Sequence, residues 1–216
     1  LLLLGLAILP CVVFLGAILY MDRQEPEPFD LLMKVVFFGG LSVIPAAVAE
    51  SFLIRPGTIL SDPFVQSLLI IAPVEEYCKL AVVLRFAWMN PAFNEENDGI
   101  VYVGMAAIGF AGLENILYVM QHGFGVGVIR AVLSVPMHIV CGIIIGYYLG
   151  IAKFPGERDS PWMLMFRGWA IATLVHGFFD AFLHSGKIEL ILLVLPMGIA
   201  FFVVGSRLLF LGRNLS

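Results

Sequence analysis

The chain has 216 residues, 61% of them hydrophobic and 13% charged, with a mean hydropathy of +1.00 and a formal charge of −4. A soluble domain carries about twice that share of charge, so the bilayer is the expected solvent. The small net charge and the lack of a basic tract exclude nucleic acid as a partner and imply no strongly anionic lipid surface.

Crossing about 30 Å of hydrocarbon takes roughly 20 apolar residues in a helix. Such runs are expected at about 1–20, 31–53, 63–87, 99–121, 127–152, 162–184 and 188–211. Backbone polar groups must be satisfied internally in lipid, and unbroken apolar runs without period-two alternation exclude a barrel. The fold expected is therefore all-α: a polytopic transmembrane helical bundle of about seven spans. It reads as a single domain over 1–216 with its motif-bearing core at about 63–184. The first run has neither a basic n-region nor an A-x-A cleavage signal and is expected to be a retained helix. Cys11, Cys78 and Cys141 all fall inside apolar runs, where packed thiols are expected rather than disulfides or metal thiolates.

The connections are marked by Asp22 to Pro28, by Asn90-Pro91 and Asn94 to Gly99, and by Pro155 to Pro161. Arg23, Lys34, Arg85, Lys153, Arg158, Arg167, Arg207 and Arg213 lie near the first, third and fifth connections and the C-terminus. Arg55, Arg130 and Lys187 lie on the other side. Basic connections stay cytoplasmic, which predicts the N-terminus outside and the C-terminus in the cytoplasm.

Four of the runs carry groups that cannot reach a headgroup: Glu75, Glu76 and Lys79, then Glu114 and Asn115, then His138, then His176 and Asp180. Insertion scales put a charged residue at about +2.5 to +3.5 kcal/mol near a helix centre, so five facing lipid would cost on the order of 10 kcal/mol. They must face one another, water or a metal. Counting about 1.5 Å per residue from the predicted outer surface puts Glu75 near ~18 Å, His138 near ~17 Å, His176 near ~12 Å, Glu114 near ~10 Å and Asp180 near ~6 Å. All fit one layer in the outer half of the membrane.

Spacing adds local detail. Glu75 and Lys79, at i and i+4, can pair on one helix face, with Glu76 turned about 100° away. His176 and Asp180, also at i and i+4, suit two metal ligands or a carboxylate that orients an imidazole. Pro73 and Pro136 each stand two residues before a site residue, Glu75 and His138, and predict kinks there. Gly104, Gly109 and Gly112 would allow close helix approach. An isolated Glu75–Lys79 pair is as readily structural as functional, and a lone membrane histidine is more often a packing residue. The convergence of four helices is what favours a site. His122, His184 and Glu50, near the ends of their runs, are expected at the interface with no role, and Asn115 is expected to bridge helices.

The chain lacks G-x-S-G, G-x-S-x-G, H-E-x-x-H and G-x-G-D, so hydrolysis would have to run on Glu and His. What it does hold, in order, is E-E-x-x-K at Glu75 to Lys79, Asp98-Gly99-Ile100 leading to Gly109-Phe110-Ala111-Gly112-Leu113-Glu114-Asn115, H-x-x-x-G at His138 to Gly142, and H-x-x-x-D at His176 to Asp180. This ordered set, over about residues 72–180, resembles the PrsW-type intramembrane proteases, related to the CAAX-prenyl endopeptidase and bacteriocin-immunity superfamily.

The resemblance implies an endopeptidase of a bacterial or archaeal cell membrane. It would cleave membrane-anchored proteins, such as an anti-sigma factor cut on its extracytoplasmic side. In CAAX-type relatives the E-E element activates water and an H-x-x-x-N element helps hold the oxyanion. Carried over, Glu75 is the general base and His176 with Asp180 is the matching element, while Phe110 to Glu114 stands where those relatives have F-x-x-x-H. That departure favours a metal. The catalytic set expected is Glu75, Glu76, Glu114, His138, His176 and Asp180. Zinc would be held by some of Glu114, His138, His176 and Asp180, because two imidazoles and a carboxylate with one open position suit catalytic zinc. A metal-free scheme with glutamate as base and histidine as acid stays open. A secondary transporter or proton relay would also place such groups at mid-membrane, and a catalytically silent immunity or scaffold protein is a third reading.

Overall fold

The computed structural model describes residues 2–154, 160–194, 196–198 and 203. Among them there is no strand, and the chain is an all-α membrane helical bundle. The helices in chain order are α1 (Leu2–Met21), α2 (Phe29–Leu41), α3 (Val43–Leu53), α4 (Pro63–Gln66), α5 (Ala72–Phe86), α6 (Asn97–His122), α7 (Phe124–Val132), α8 (Ser134–Lys153) and α9 (Pro161–His184). Four segments are long and apolar enough to cross a membrane: Leu3–Met21, Phe29–Leu53, Asn97–His122 and Phe124–Lys153. The stretches 63–86 and 161–184 are helical too, but they carry the acids, lysine and histidines that lower their apolarity. Of the run expected at 188–211, most lies outside the described residues, and its described part is helical.

Three interruptions differ from continuous spans. The second run breaks at Ser42, whose hydroxyl donates to the Gly39 carbonyl at 2.7 Å, just ahead of Pro45. Between α4 and α5 the helix widens into a π turn over Ser67–Ile71. Pro73 follows it, lacking the N–H and crowding the carbonyl four residues back, which accounts for a widened turn at that place. The third interruption is a break where the sequence predicts a kink. Pro136 falls in the first turn of α8, where a missing N–H costs nothing, and the chain turns at Leu133 between α7 and α8.

α6 is the axis of the bundle, packed between α2 on one side and α8 on the other. Glycine sets both distances. A Cβ on Gly109 would run into the Val36 carbonyl of α2, and one on Gly146 of α8 into the Gly99 carbonyl. Without a hydrophobic force between helices in lipid, such close backbone approach supplies much of the packing. α9 lies on α8 and α5, and α1 leans on α6 through a narrow stripe of Ala7, Cys11 and Ile18. The cysteines are free thiols, as expected.

Candidate active site

α5 presents its polar face to α8 and α9 because nothing else can satisfy it: Glu76 and Lys79 are 0% exposed and Glu75 7%. The Lys79 ammonium donates to Glu76 Oε1 at 2.7 Å and to His138 Nδ1 of α8 at 2.8 Å. This differs from the expected Glu75–Lys79 pair. Positions i+3 and i+4 are both within reach on a helix, and His138 draws the lysine to the Glu76 side.

Lysine has only donors, so His138 Nδ1 accepts and Nε2 carries the ring hydrogen. That Nε2 donates to Glu114 Oε2 of α6 at 2.8 Å. Arg130 of α7 donates to the same Glu114 oxygen through Nη2 at 2.7 Å and to Asn115 Oδ1 through Nε at 3.3 Å. The Asn115 amide then donates to the Ala7 carbonyl at 3.0 Å, bridging α6 to α1.

On the other side, His176 Nδ1 of α9 donates to Glu76 Oε1 at 2.7 Å. Its Nε2 faces Asp180 Oδ2 at 3.2 Å and Glu75 Oε2 at 3.8 Å. The two imidazoles stand edge to face with centroids 4.9 Å apart. Phe110 underlies the group, with its ring centroid 4.7 Å from the Lys79 ammonium and 5.6 Å from the His138 ring. The indole N–H of Trp169 donates to the Pro73 carbonyl at 3.2 Å and fixes α9 on α5 beside the cluster.

All six sequence-predicted site residues, Glu75, Glu76, Glu114, His138, His176 and Asp180, thus fall in one connected group. The two adjacent acids differ in kind. Glu76 shares one oxygen between an ammonium and an imidazole, whereas Glu75 Oε2 is buried with no hydrogen-bond partner. A carboxylate oxygen with no hydrogen bond among the described residues, facing an imidazole at 3.8 Å, can take a proton from water.

The same group fits a metal. Glu75, His138 and His176 each offer one ligand atom, and the three atoms lie within 4.8 Å of one another; to ligate, His138 gives up its hydrogen bond to either Lys79 or Glu114, and His176 Nε2 gives up its hydrogen. The free Glu75 oxygen has no other occupation, and the Glu76 carboxylate behind His176 is the outer support that a metal-binding imidazole usually has. Of the other expected ligands, Glu114 is engaged by Arg130 and His138, and Asp180 by His176.

Two contributors were not legible in the sequence. Arg130 enters there only as a loop charge. The signal was its place a few residues after the Gly123 break, where a short helix can turn it inward. Glu50 of α3, assigned to the interface, has a buried Oε1 without a partner and lies within electrostatic reach of Glu114, His176 and Asp180. His122, by contrast, is exposed at the end of α6.

Residues 27–206 match the family described as PrsW family intramembrane metalloprotease. Protease PrsW of Geobacillus kaustophilus is 32% identical over 178 residues, covering 82% of this chain and 78% of the relative. Protease PrsW of Bacillus subtilis is 29% identical over 201 residues, covering 93% and 90%, and that of Clostridioides difficile 30% identical over 181 residues, covering 81% and 76%. No solved structure matches the chain.

Proposed function

The chain belongs to the PrsW family of intramembrane metalloproteases, and from that premise we propose that it hydrolyses a peptide bond of a membrane-anchored protein by a water that Glu75 deprotonates. Membership makes it an intramembrane protease and displaces the transporter reading. The observation that carries the mechanism is the contrast between neighbouring acids: Glu76 is saturated by Lys79 and His176, and Glu75 is left with a free oxygen.

Water attacks the scissile carbonyl carbon while its proton passes to Glu75. Negative charge collects on the former carbonyl oxygen, where His176 is placed to donate from Nε2. Glu75 then returns the proton to the amide nitrogen, the C–N bond breaks, and an amine and a carboxylic acid leave. Glu76 holds His176 in the orientation that keeps Nε2 toward Glu75 and Asp180. Lys79 and Arg130 hold His138 and Glu114 and compensate the acids in a place that water does not reach freely. With the family's metal bound, Glu75, His138 and His176 would hold it, His176 through an unprotonated Nε2, and zinc there would supply Lewis-acid polarisation in place of the Nε2 hydrogen and bring the pKa of water to about 7.

A substrate helix hides its carbonyls in its own hydrogen bonds, so a locally unwound segment must enter. The asymmetry of Lys and Arg between connections supports cleavage toward the outer face, and an anti-sigma factor is the substrate class implied by the motif set. The decisive experiment incubates single-span candidate substrates with the parent and with Glu75→Gln, Glu76→Gln and His176→Ala. Cleavage by the parent with loss in Glu75→Gln is expected, and equal cleavage by all four would refute the assignment. Metal analysis of the purified protein, paired with activity after chelation, tests zinc. Full activity with no bound metal would eliminate it.

A further inference from the structure

At the opposite end of α6 from Glu114, a second set of acids converges that the proteolytic site does not use. Asp22 closes α1, Glu27 precedes α2, Glu95 lies in the connection after α5, and Asp98 stands in the first turn of α6. Sixteen residues separate Asp98 from Glu114, about 24 Å of helix. Asp22, Glu95 and Asp98 each offer an oxygen within 4.8 Å of the other two.

Two of these carboxylates are held by backbone amides. Asp22 Oδ2 accepts from the Glu27 amide at 2.9 Å, and Asp98 Oδ2 accepts from the amides of Asn94 and Glu95 at 2.8 and 2.9 Å. The second oxygen of each, Oδ1, is buried without a partner, although Asp22 is 3% exposed and Asp98 0%. The side-chain amide oxygen of Asn97, Oδ1, is likewise buried and unpartnered, and the Asn97 side chain meets Glu95. Tyr102 donates its hydroxyl to Glu27, which completes the wall next to Asp98.

Among the described residues no lysine, arginine or histidine pairs with any of the four acids. The charges that Asp22 and Glu95 feel most are those of other acids, Asp98 and Glu25. Asp22 and Asp98, buried close to like charges and each with a free oxygen, lack a cation. Hard oxygen donors of this kind select a hard divalent ion and not zinc or copper.

We infer that Asp22, Glu95 and Asp98 bind a hard divalent cation of the Mg2+ or Ca2+ type at the end of the bundle remote from the proteolytic site. The ion joins the α1–α2 connection to the start of α6, the helix that carries Glu114. It is distinct from the metal that Glu75 and the histidines would hold.

The test uses the full chain in detergent at neutral pH after EDTA treatment and dialysis, with Glu75→Gln and His176→Ala introduced to silence the other site. Addition of MgCl2 or CaCl2 to about 10 mM, against KCl of equal ionic strength, is expected to raise the melting temperature saturably by about 2 °C or more. Asp98→Asn in that background removes the response and, by relieving repulsion, does not lower the melting temperature measured without cation. Glu95→Gln, in the less buried connection, gives the same loss of response should Asp98→Asn not fold. No shift with either ion in the silenced parent, or an undiminished shift in Glu95→Gln, would overturn the assignment.

Discussion

Glu76 and His176 meet at 2.7 Å across the α5–α9 interface, a hundred residues apart in the chain, and the same Glu76 oxygen also receives the Lys79 ammonium. In the proposed mechanism Glu76 positions His176, and Glu75 is the residue whose loss should affect chemistry alone. Glu75→Gln is expected to melt within a degree or two of the parent and to cleave no substrate. Glu76→Gln leaves Lys79 buried without its carboxylate and should lose about 3 kcal/mol or more of stability as well as activity. Thermal unfolding in detergent beside a cleavage assay separates the two patterns.

Arg130 and Glu114 form a second inward pair. Arg130→Met strands the Glu114 charge, and a marked loss of stability is expected, with a smaller loss in Arg130→Lys, which keeps the charge but not the two-pronged reach to Asn115. The double variant Arg130→Met with Glu114→Gln should be more stable than Arg130→Met alone. A strictly additive double-mutant cycle would show that the pair contributes nothing.

Where α2 crosses α6, no side chain fits. Gly109→Val is expected to push the two helices apart at the Val36 carbonyl and cost at least about 2 kcal/mol. Gly16→Ala, on a face of α1 with nothing within 4 Å of the added atom, should not destabilise in the same unfolding assay.

The acids outside the spans set a pH dependence of a definite sign. Burial is the first cause that raises Asp22 to about 6, Glu27 to about 8 and Glu95 to about 7. Their folded-state values lie above the unfolded ones, so the folded protein binds protons more tightly. Stability from these groups is full below about pH 4 and is lost as pH rises through 6 to 8. Hydrogen exchange over residues 22–28 and 94–98 in EDTA should therefore be faster at pH 8 than at pH 5.5 after correction for intrinsic rates, and divalent cation should reduce the difference.

The polar residues that form the site could be picked out from sequence because lipid leaves them few places to be. Glu75, Glu114, His138 and His176 declare themselves by their cost, and His176 with Asp180 by helical spacing. Their pairing was not readable. Lys79 reaches Glu75 or Glu76 equally well on an isolated α5, and the choice is made by His138, fifty-nine residues on. Hydropathy alone ran α7 and α8 together as one span, since both are apolar, and so left Arg130 as a charge near the end of that span with no inward role. The turn at Leu133 that brings it inward depends on packing against α6 and α1. Pro136 was visible, but a proline near a helix start and one inside a helix look the same until the start is known.

The order in which the ribosome delivers these helices gives the Lys79 contact a further meaning. α5 leaves the translocon with its own counter-charge one turn from Glu76, so it can partition into lipid as a nearly neutral segment before α8 and α9 exist. Glu114 has no such companion on α6, and its cation, Arg130, is made only sixteen residues later. α6 and α7 should then be retained beside the insertion channel until they can enter the bilayer as a pair.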